Sequence, residues 1–357
     1  MPDRGSLLRI LDLARWAPSG DNTQPWRFEI LADDHIAVHG FDTRDDILYD
    51  FDGHPSHMAH GALLETLRMA ATREGLAADW TRRPGSTDAK PIYDVRLRHS
   101  PGLRADELAS HIETRCVQRR PLRTTPLDGG QQAALQAAIG SDYTLAVLAS
   151  PRQRLSVARL LWNNAWLRLR CPEAFEVHRS IIEWGARYSV DRIPEQAVGV
   201  DPMTARLMQW VMQSWQRVEF FNRYLGGTIL PRLQLDWMPA MACGAHLLMR
   251  PRQSPQGLED HVRAGIAMQR LWLTASALGL QLQPQMTPVI FRWYVQGGRR
   301  ISTMTEIDRR AILLARDFEA LVGAEPDAPF AFFCRVGFGA SARSRSVRKE
   351  LGDLMIR

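Results

Sequence analysis

The chain has 357 residues, 45% of them apolar and 24% charged, which is the composition of a globular protein large enough for two domains or one intertwined unit. The formal net charge of +6 is carried almost entirely by arginine, since lysine occurs only at Lys90 and Lys349. The basic residues are dispersed, apart from clusters at Arg119–Arg123 and Arg343–Arg348, so no nucleic-acid partner is expected. No apolar run approaches a membrane span, no membrane partner is expected, and the N-terminus lacks a signal-peptide layout. Four scattered cysteines without a CxxC pair fit a reduced, cytoplasmic protein.

In chain order, Leu7, Leu8, Ile10, Leu11, Leu13 and Ala14 predict a helix that stops before Pro18. Residues 18–25 then form a polar turn carrying Ser19, Asp21, Asn22 and Gln24, stiffened at its ends by Pro18 and Pro25. A strand is expected over Arg27–Leu31, a second over His35–His39, and a helix over His60–Leu76. A third strand follows at Ile92–Leu97. His54, His57 and His60 lie at spacings of three; Pro55 and the rotation between them favour structural or surface roles over a metal site. The second part opens on Arg119, Arg120 and Arg123, then a helix over Gln131–Ile139 and a strand over Thr144–Leu148.

Residues 152–240 read as a helical insertion holding six of the eleven tryptophans, with an irregular stretch at Ser189–Pro194. Most of those aromatics would form the insertion's own core; a lid over a planar ligand is the functional alternative. Strands at Gly244–Met249 and Phe330–Val336 flank a second apolar helix, Ala264–Leu280. Aligned on Gly61 and Gly265, the two long helices share Leu67/Leu271, Ala71/Ala275, Gly75/Gly279 and Leu76/Leu280. Two related halves follow, residues 1–110 and 111–357. No GxGxxG, Walker loop or GxSxG elbow is present.

The segment Ala17-Pro18-Ser19-Gly20-Asp21-Asn22-Thr23-Gln24-Pro25-Trp26 resembles the Ala-Pro-Ser-x-x-Asn-x-Gln-Pro-Trp signature of the FMN-dependent nitroreductase family. The resemblance implies an α+β three-layer sandwich, here duplicated in one chain as a pseudo-dimer. It implies that Pro18, Ser19, Gly20, Asn22 and Gln24 complete a flavin site whose other parts lie in the second half. The family's Arg-Arg-Ser-x-Arg segment is resembled by Arg119-Arg120-Pro121-Leu122-Arg123, which would put Arg119 on the phosphate and Arg123 at the pyrimidine edge. Pro284, Met286 and Thr287 resemble the loop whose amides face flavin N5 and O4, and Arg343 and Arg345 the basic pair that closes on the phosphate. Each half has what the other lacks, so one FMN per chain and a monomer are expected. The implied activity is an oxidoreductase passing electrons from NAD(P)H, a transient co-substrate, to a small planar acceptor. A biosynthetic flavin oxidase or desaturase, or a flavin-sequestering protein, are the alternatives.

Overall fold

In a computed structural model, which describes residues 2–356, every strand of the two main sheets pairs antiparallel with its neighbours. Sheet one is built from Trp26–Ala32, His35–Gly40, Leu76–Arg82 and Ile92–His99. Numbered along the chain, these lie in the order first, second, fourth, third. Sheet two is built from Tyr143–Leu148, Ala245–Pro251, Gln281–Pro284 and Phe332–Gly337 and has the same order. In each case a helix precedes the first strand (Arg4–Ala14, then Gly129–Ala138), and a twenty-residue helix joins the second to the third (His54–Arg73, then Leu258–Ala277).

The local causes are visible. Asp3 caps the first helix by accepting the Ser6 N–H at 2.6 Å, and Asp128 caps its counterpart in a reciprocal capping box with Gln131. The first sheet's inner faces carry Trp26, Phe28, Ile36, Val38, Tyr93 and Val95, all fully buried, in the alternation a half-buried sheet requires. The last strand of the second sheet, Phe332–Gly337, is central in its sheet and buried at every position, and its run is apolar except for Arg335.

The two long helices cross between the sheets. Gly61 faces the backbone of Val262, and Gly265 faces that of Met58, so closely that a Cβ on either glycine would overlap a carbonyl group. Neither glycine is there for its backbone angles; both are there because nothing larger fits. Fifteen of the twenty residues of the first helix are buried, far more than one apolar stripe. Polar groups inside the crossing are paired: Gln269 donates to the Thr66 hydroxyl at 2.9 Å, and Arg270 reaches Glu65 at 2.7 Å and Asp106 at 3.1 Å.

Of the three histidines of His54–Arg73, His57 and His60 are buried and His54 is half-buried, where structural or surface roles were expected. His60 donates to the Pro25 carbonyl at 2.8 Å, His57 bonds the Asp88 carbonyl at 3.0 Å, and His54 stacks on His261 at 3.7 Å between ring centroids. The strands at Leu76–Arg82 and Gln281–Pro284 are also additions to the sequence reading, which ended a helix at Leu76 and treated the second segment as loop.

The stretch between the first two strands of sheet two forms a cap. Pro151–Arg170 starts at Ser150 in a capping box and packs on Thr305–Val322. Pro172–Ile181, Pro202–Val211 and Trp215–Tyr224 follow, the last two capped by Asp201 and Ser214. The chain's end returns to the first half: Phe28 bridges Met355, and the Ile356 N–H donates to the Phe28 carbonyl at 2.7 Å.

Two outcomes follow. Gly61→Ala will cost at least about 3 kcal/mol in urea unfolding, because a backbone carbonyl cannot give way as a side chain can. Gly129→Ala, whose added methyl meets nothing within 4 Å, will change stability by less than about 1 kcal/mol. Burial holds the imidazoles of His54 and His60 down at about 4 and that of His261 at about 3. In the unfolded chain each takes up a proton near pH ~6.5, so below that pH the unfolded state binds more protons and stability falls. The melting temperature will therefore drop between about pH 7 and pH 5; a flat profile would contradict neutral, buried rings.

Candidate functional site

Residues 18–24 connect a helix to a strand, yet three of them that are not glycine adopt left-handed backbone: Asp21 (φ 48°), Asn22 (φ 65°) and Gln24 (φ 50°). Asp and Asn tolerate this conformation better than most residues, but three within four positions must be held from outside. Ser19 accepts the Gln24 N–H on its hydroxyl at 2.9 Å. Gln24, fully buried, donates to the carbonyls of Asn22 at 3.0 Å and Val190 at 2.8 Å and accepts the Lys349 N–H at 2.9 Å. Asn22 donates to the Val347 carbonyl at 3.1 Å. One loop thus meets the cap and the C-terminal tail together. Cap and tail also pair directly, Tyr188–Ser189 running parallel to Arg345–Ser346.

Behind this junction lies a cavity of about 460 Å³. Of the residues expected from sequence, Pro18, Ser19, Gly20, Asn22, Arg119, Pro284, Met286, Thr287 and Arg345 line it. Gln24 does not; it stands behind the wall as a strut. Arg120, Arg123 and Arg343 are exposed and lie outside the lining. The reason is the path of residues 118–123 along the edge of sheet two. The Leu122 N–H donates to the Ala242 carbonyl at 2.8 Å and that of Arg123 to Phe338 at 2.7 Å. Leu122 turns inward against Gly337 and Gly339, and its neighbour Arg123 turns out. Buried Arg335 fixes the segment by donating to the carbonyls of Gln118 (3.1 Å) and Arg120 (2.8 Å). Arg343 instead offers its carbonyl to Arg187 at 3.1 Å.

Three lining arginines were not anticipated: Arg168 of the cap, and Arg115 and Arg348, both buried. Arg115 donates to the Trp16 carbonyl at 3.0 Å and lies over Trp272, 4.5 Å from the ring centroid. Arg348 donates to the Ala17 carbonyl at 3.0 Å. Arg345 lies over Trp16 at 5.0 Å. Carbonyls and ring faces orient Arg115, Arg345 and Arg348 but do not neutralise them. Burial, and then the neighbouring arginines, push the Arg348 guanidinium well below its usual range; burial and Arg345 push Arg115 down to about 10. The Nε atoms of Arg115 and Arg345 and the Oδ1 of Asn22 are buried without a partner among the described residues. Concentrated positive charge with unused donors is a site for an anion. The signal was present in the sequence: Arg115 and Arg119 repeat, four residues earlier, the spacing of Arg119 and Arg123.

Arg119 also lines the cavity. It donates to the Ala197 carbonyl at 3.2 Å, and burial lowers its pKa while Asp21 opposes that shift. Burial likewise raises the Asp21 carboxyl against the pull of Arg119. Across from them, Met286 and Thr287 open the helix Thr287–Gln296, where the first amides have no intrahelical acceptor. Further polar groups come from the cap and from Tyr49 of the first half. Tyr49 bonds His178 at 2.9 Å, and Arg168 holds Asp236 through both carboxylate oxygens at 3.0 Å.

The cavity is mainly apolar, with arginines and hydrogen-bond donors in its walls, and lies within an α+β fold of two antiparallel sheets. The protein named "Putative NAD(P)H nitroreductase Rv3131" from Mycobacterium tuberculosis H37Rv is 27% identical over 294 residues, covering 81% of this chain and 78% of that one. "Putative NAD(P)H nitroreductase acg" from the same organism is 33% identical over 201 residues, covering 53% and 56%. Among solved structures, the FMN and NADPH-dependent nitroreductase NfnB from "sphigopyxis sp. strain HMH" aligns at 14% identity with a TM-score of 0.38, covering 71% of this chain and 99% of that one. No family model matches the chain. The chain is thus similar to proteins named as nitroreductases.

Replacing Gln24 by Ala removes three hydrogen bonds and leaves buried backbone groups unpaired. A stability loss of about 2 kcal/mol or more is expected, together with faster limited proteolysis of the 188–194 loop and the tail. An unchanged cleavage pattern would show that the junction does not depend on this side chain.

Proposed function

We propose that the chain is an FMN-dependent oxidoreductase that carries electrons from NAD(P)H through one FMN to a small planar acceptor. The observation that carries this reading is the group of three neighbouring arginines in the cavity wall, Arg115, Arg345 and Arg348, none of them paired with a carboxylate among the described residues. A phosphate dianion matches that need, and the unpartnered Arg115 Nε and Arg345 Nε fit its oxygens. Bound FMN would supply the hydride chemistry; the protein's residues bind and orient it.

On this reading the roles assigned from sequence move back by four residues. Arg115 takes the phosphate, where Arg119 was expected, and Arg119 takes the pyrimidine edge, where Arg123 was expected. Ser19 and Asn22 face the ring and ribityl chain, the Asn22 Oδ1 offering an acceptor to a ligand hydroxyl or N–H. The amides of Met286 and Thr287 lie where the N5 edge would meet them. The mycobacterial relatives' names suggest nicotinamide dependence, and the mainly apolar cavity suits a small planar acceptor.

We also propose that the two halves are duplicates and that only one flavin site survives. The common strand order, the matched helices and the Gly61–Gly265 crossing support this. So does the short Gly140-Ser141-Asp142 turn, which stands where a second Pro-Ser-x-x-Asn loop would be.

The purified protein is expected to be yellow, with one FMN per chain, to bleach with NADH or NADPH under anaerobic conditions, and to recover its colour with a nitroaromatic or quinone. Arg115→Ala or Arg345→Ala will weaken FMN binding by about ten- to a hundredfold, the loss of one or two charge-assisted hydrogen bonds. Arg123→Ala will retain flavin. A flavin that neither cofactor bleaches would replace turnover by storage, and a protein that binds no FMN would end the proposal.

A further inference from the structure

Among the described residues, eighteen large apolar side chains are exposed, and ten of them lie between Met203 and Met238. On the helix Pro202–Val211, Met203, Leu207 and Trp210 recur at spacings of four and three, so they share one outward face; Met203 is 80% exposed. On Trp215–Tyr224, Phe220 and Tyr224 are four apart and 5.2 Å between ring centroids. Met208, Met212 and Val218 of the same segment line the cavity. These helices are therefore apolar on both faces, a pattern suited to burial on both sides rather than to water on one.

The charges set among these side chains are mostly of one sign. Arg206, Arg217 and Arg223 accompany a single acidic residue on the two helices, Glu219. Arg217 lies 4.6 Å from the Trp210 ring centroid and Arg223 lies over Tyr224 at 5.8 Å. Aromatic rings with arginine beside them, on short helices with apolar outer faces, match the layer where lipid headgroups meet acyl chains. Each helix has ten residues, and among the described residues no helix is long and apolar enough to cross a membrane, so contact would be in the plane of the surface. A second copy fits less well, because a two-fold interface would set each arginine group against its own counterpart.

We propose that the outer face of Pro202–Tyr224 docks on an anionic bilayer surface. The sequence expectation of no membrane partner rested on the lack of a spanning segment and did not weigh this face. The test is flotation of the full chain with phosphatidylcholine vesicles with and without phosphatidylglycerol. Flotation is expected only with phosphatidylglycerol and should fall with added salt. Trp210→Ser with Phe220→Ser should weaken it by roughly tenfold or more, as should Arg206→Glu with Arg223→Glu. Circular dichroism checks that each variant is folded. Absorbance near 450 nm reports flavin separately, so loss of the flavin reading and loss of this one are distinguishable. No flotation by the folded parent chain overturns the proposal. So does a concentration-dependent dimer, seen by sedimentation without flotation and abolished by the serine pair, which would give the face to a second copy.

Discussion

The close approach of two backbones at Gly61 and Gly265 is the constraint on which the rest of the molecule depends. With no side chain between them, the helices His54–Arg73 and Leu258–Ala277 sit deeper in each other than ridge-and-groove packing of larger residues allows. That depth brings the two sheets to a common seam and buries polar groups such as Glu65, Thr66 and Gln269, which then require partners from the opposite half. Hydrogen bonds across the seam specify one arrangement of the halves; the apolar contacts around them supply most of the driving force.

The cavity inherits its character from that seam. Its walls come from the 18–22 loop, the 115–119 strand edge, the 283–287 turn and the tail, elements far apart in sequence. All lie on one chain, so a site shared between the halves does not depend on protein concentration, as a site between separate subunits would. Electrostatically the cavity is divided. Arg115, Arg345 and Arg348 have no counter-ions among the described residues, whereas Arg168–Asp236 and Tyr49–His178 on the cap side are internally satisfied pairs. Unneutralised charge marks where a ligand must contribute; paired charge marks where the protein is already complete.

Much of this was legible in the residues. The strands over 26–32, 35–40 and 143–148 follow from β-branched and aromatic residues, and that over 245–251 from the apolar Leu247–Met249; the glycines on which the two helices align, Gly61 and Gly265, are where the helices meet. Leu76–Arg82 was missed because Ala77, Ala78, Asp79 and Arg82 have little strand preference; pairing with Ile92–His99 imposes the conformation. Gln281–Pro284 is short and polar, and is a strand only because Phe332–Gly337 lies beside it. The arginine assignment failed for a different reason. Arg115–Arg119 and Arg119–Arg123 have equal spacing, and only the inward turn of Leu122 decides which pair faces the cavity. The left-handed angles at Asp21, Asn22 and Gln24 had little local signature beyond tolerant residue types, since the partners that hold Asn22 and Gln24 from outside the loop are more than 160 residues away.

The tail residues 345–349 have two duties at once. Arg345 and Arg348 line the cavity, while the backbone of the same few residues is paired with Ser189 and held by Asn22 and Gln24. A ligand gripped by those side chains cannot leave by a small shift of the cap alone, because the cap is stitched to the strand that grips it. Its escape and the opening of that stitch are one event, with one barrier. On the proposed reading, main-chain hydrogen bonds that never touch the ligand would help to set its residence time.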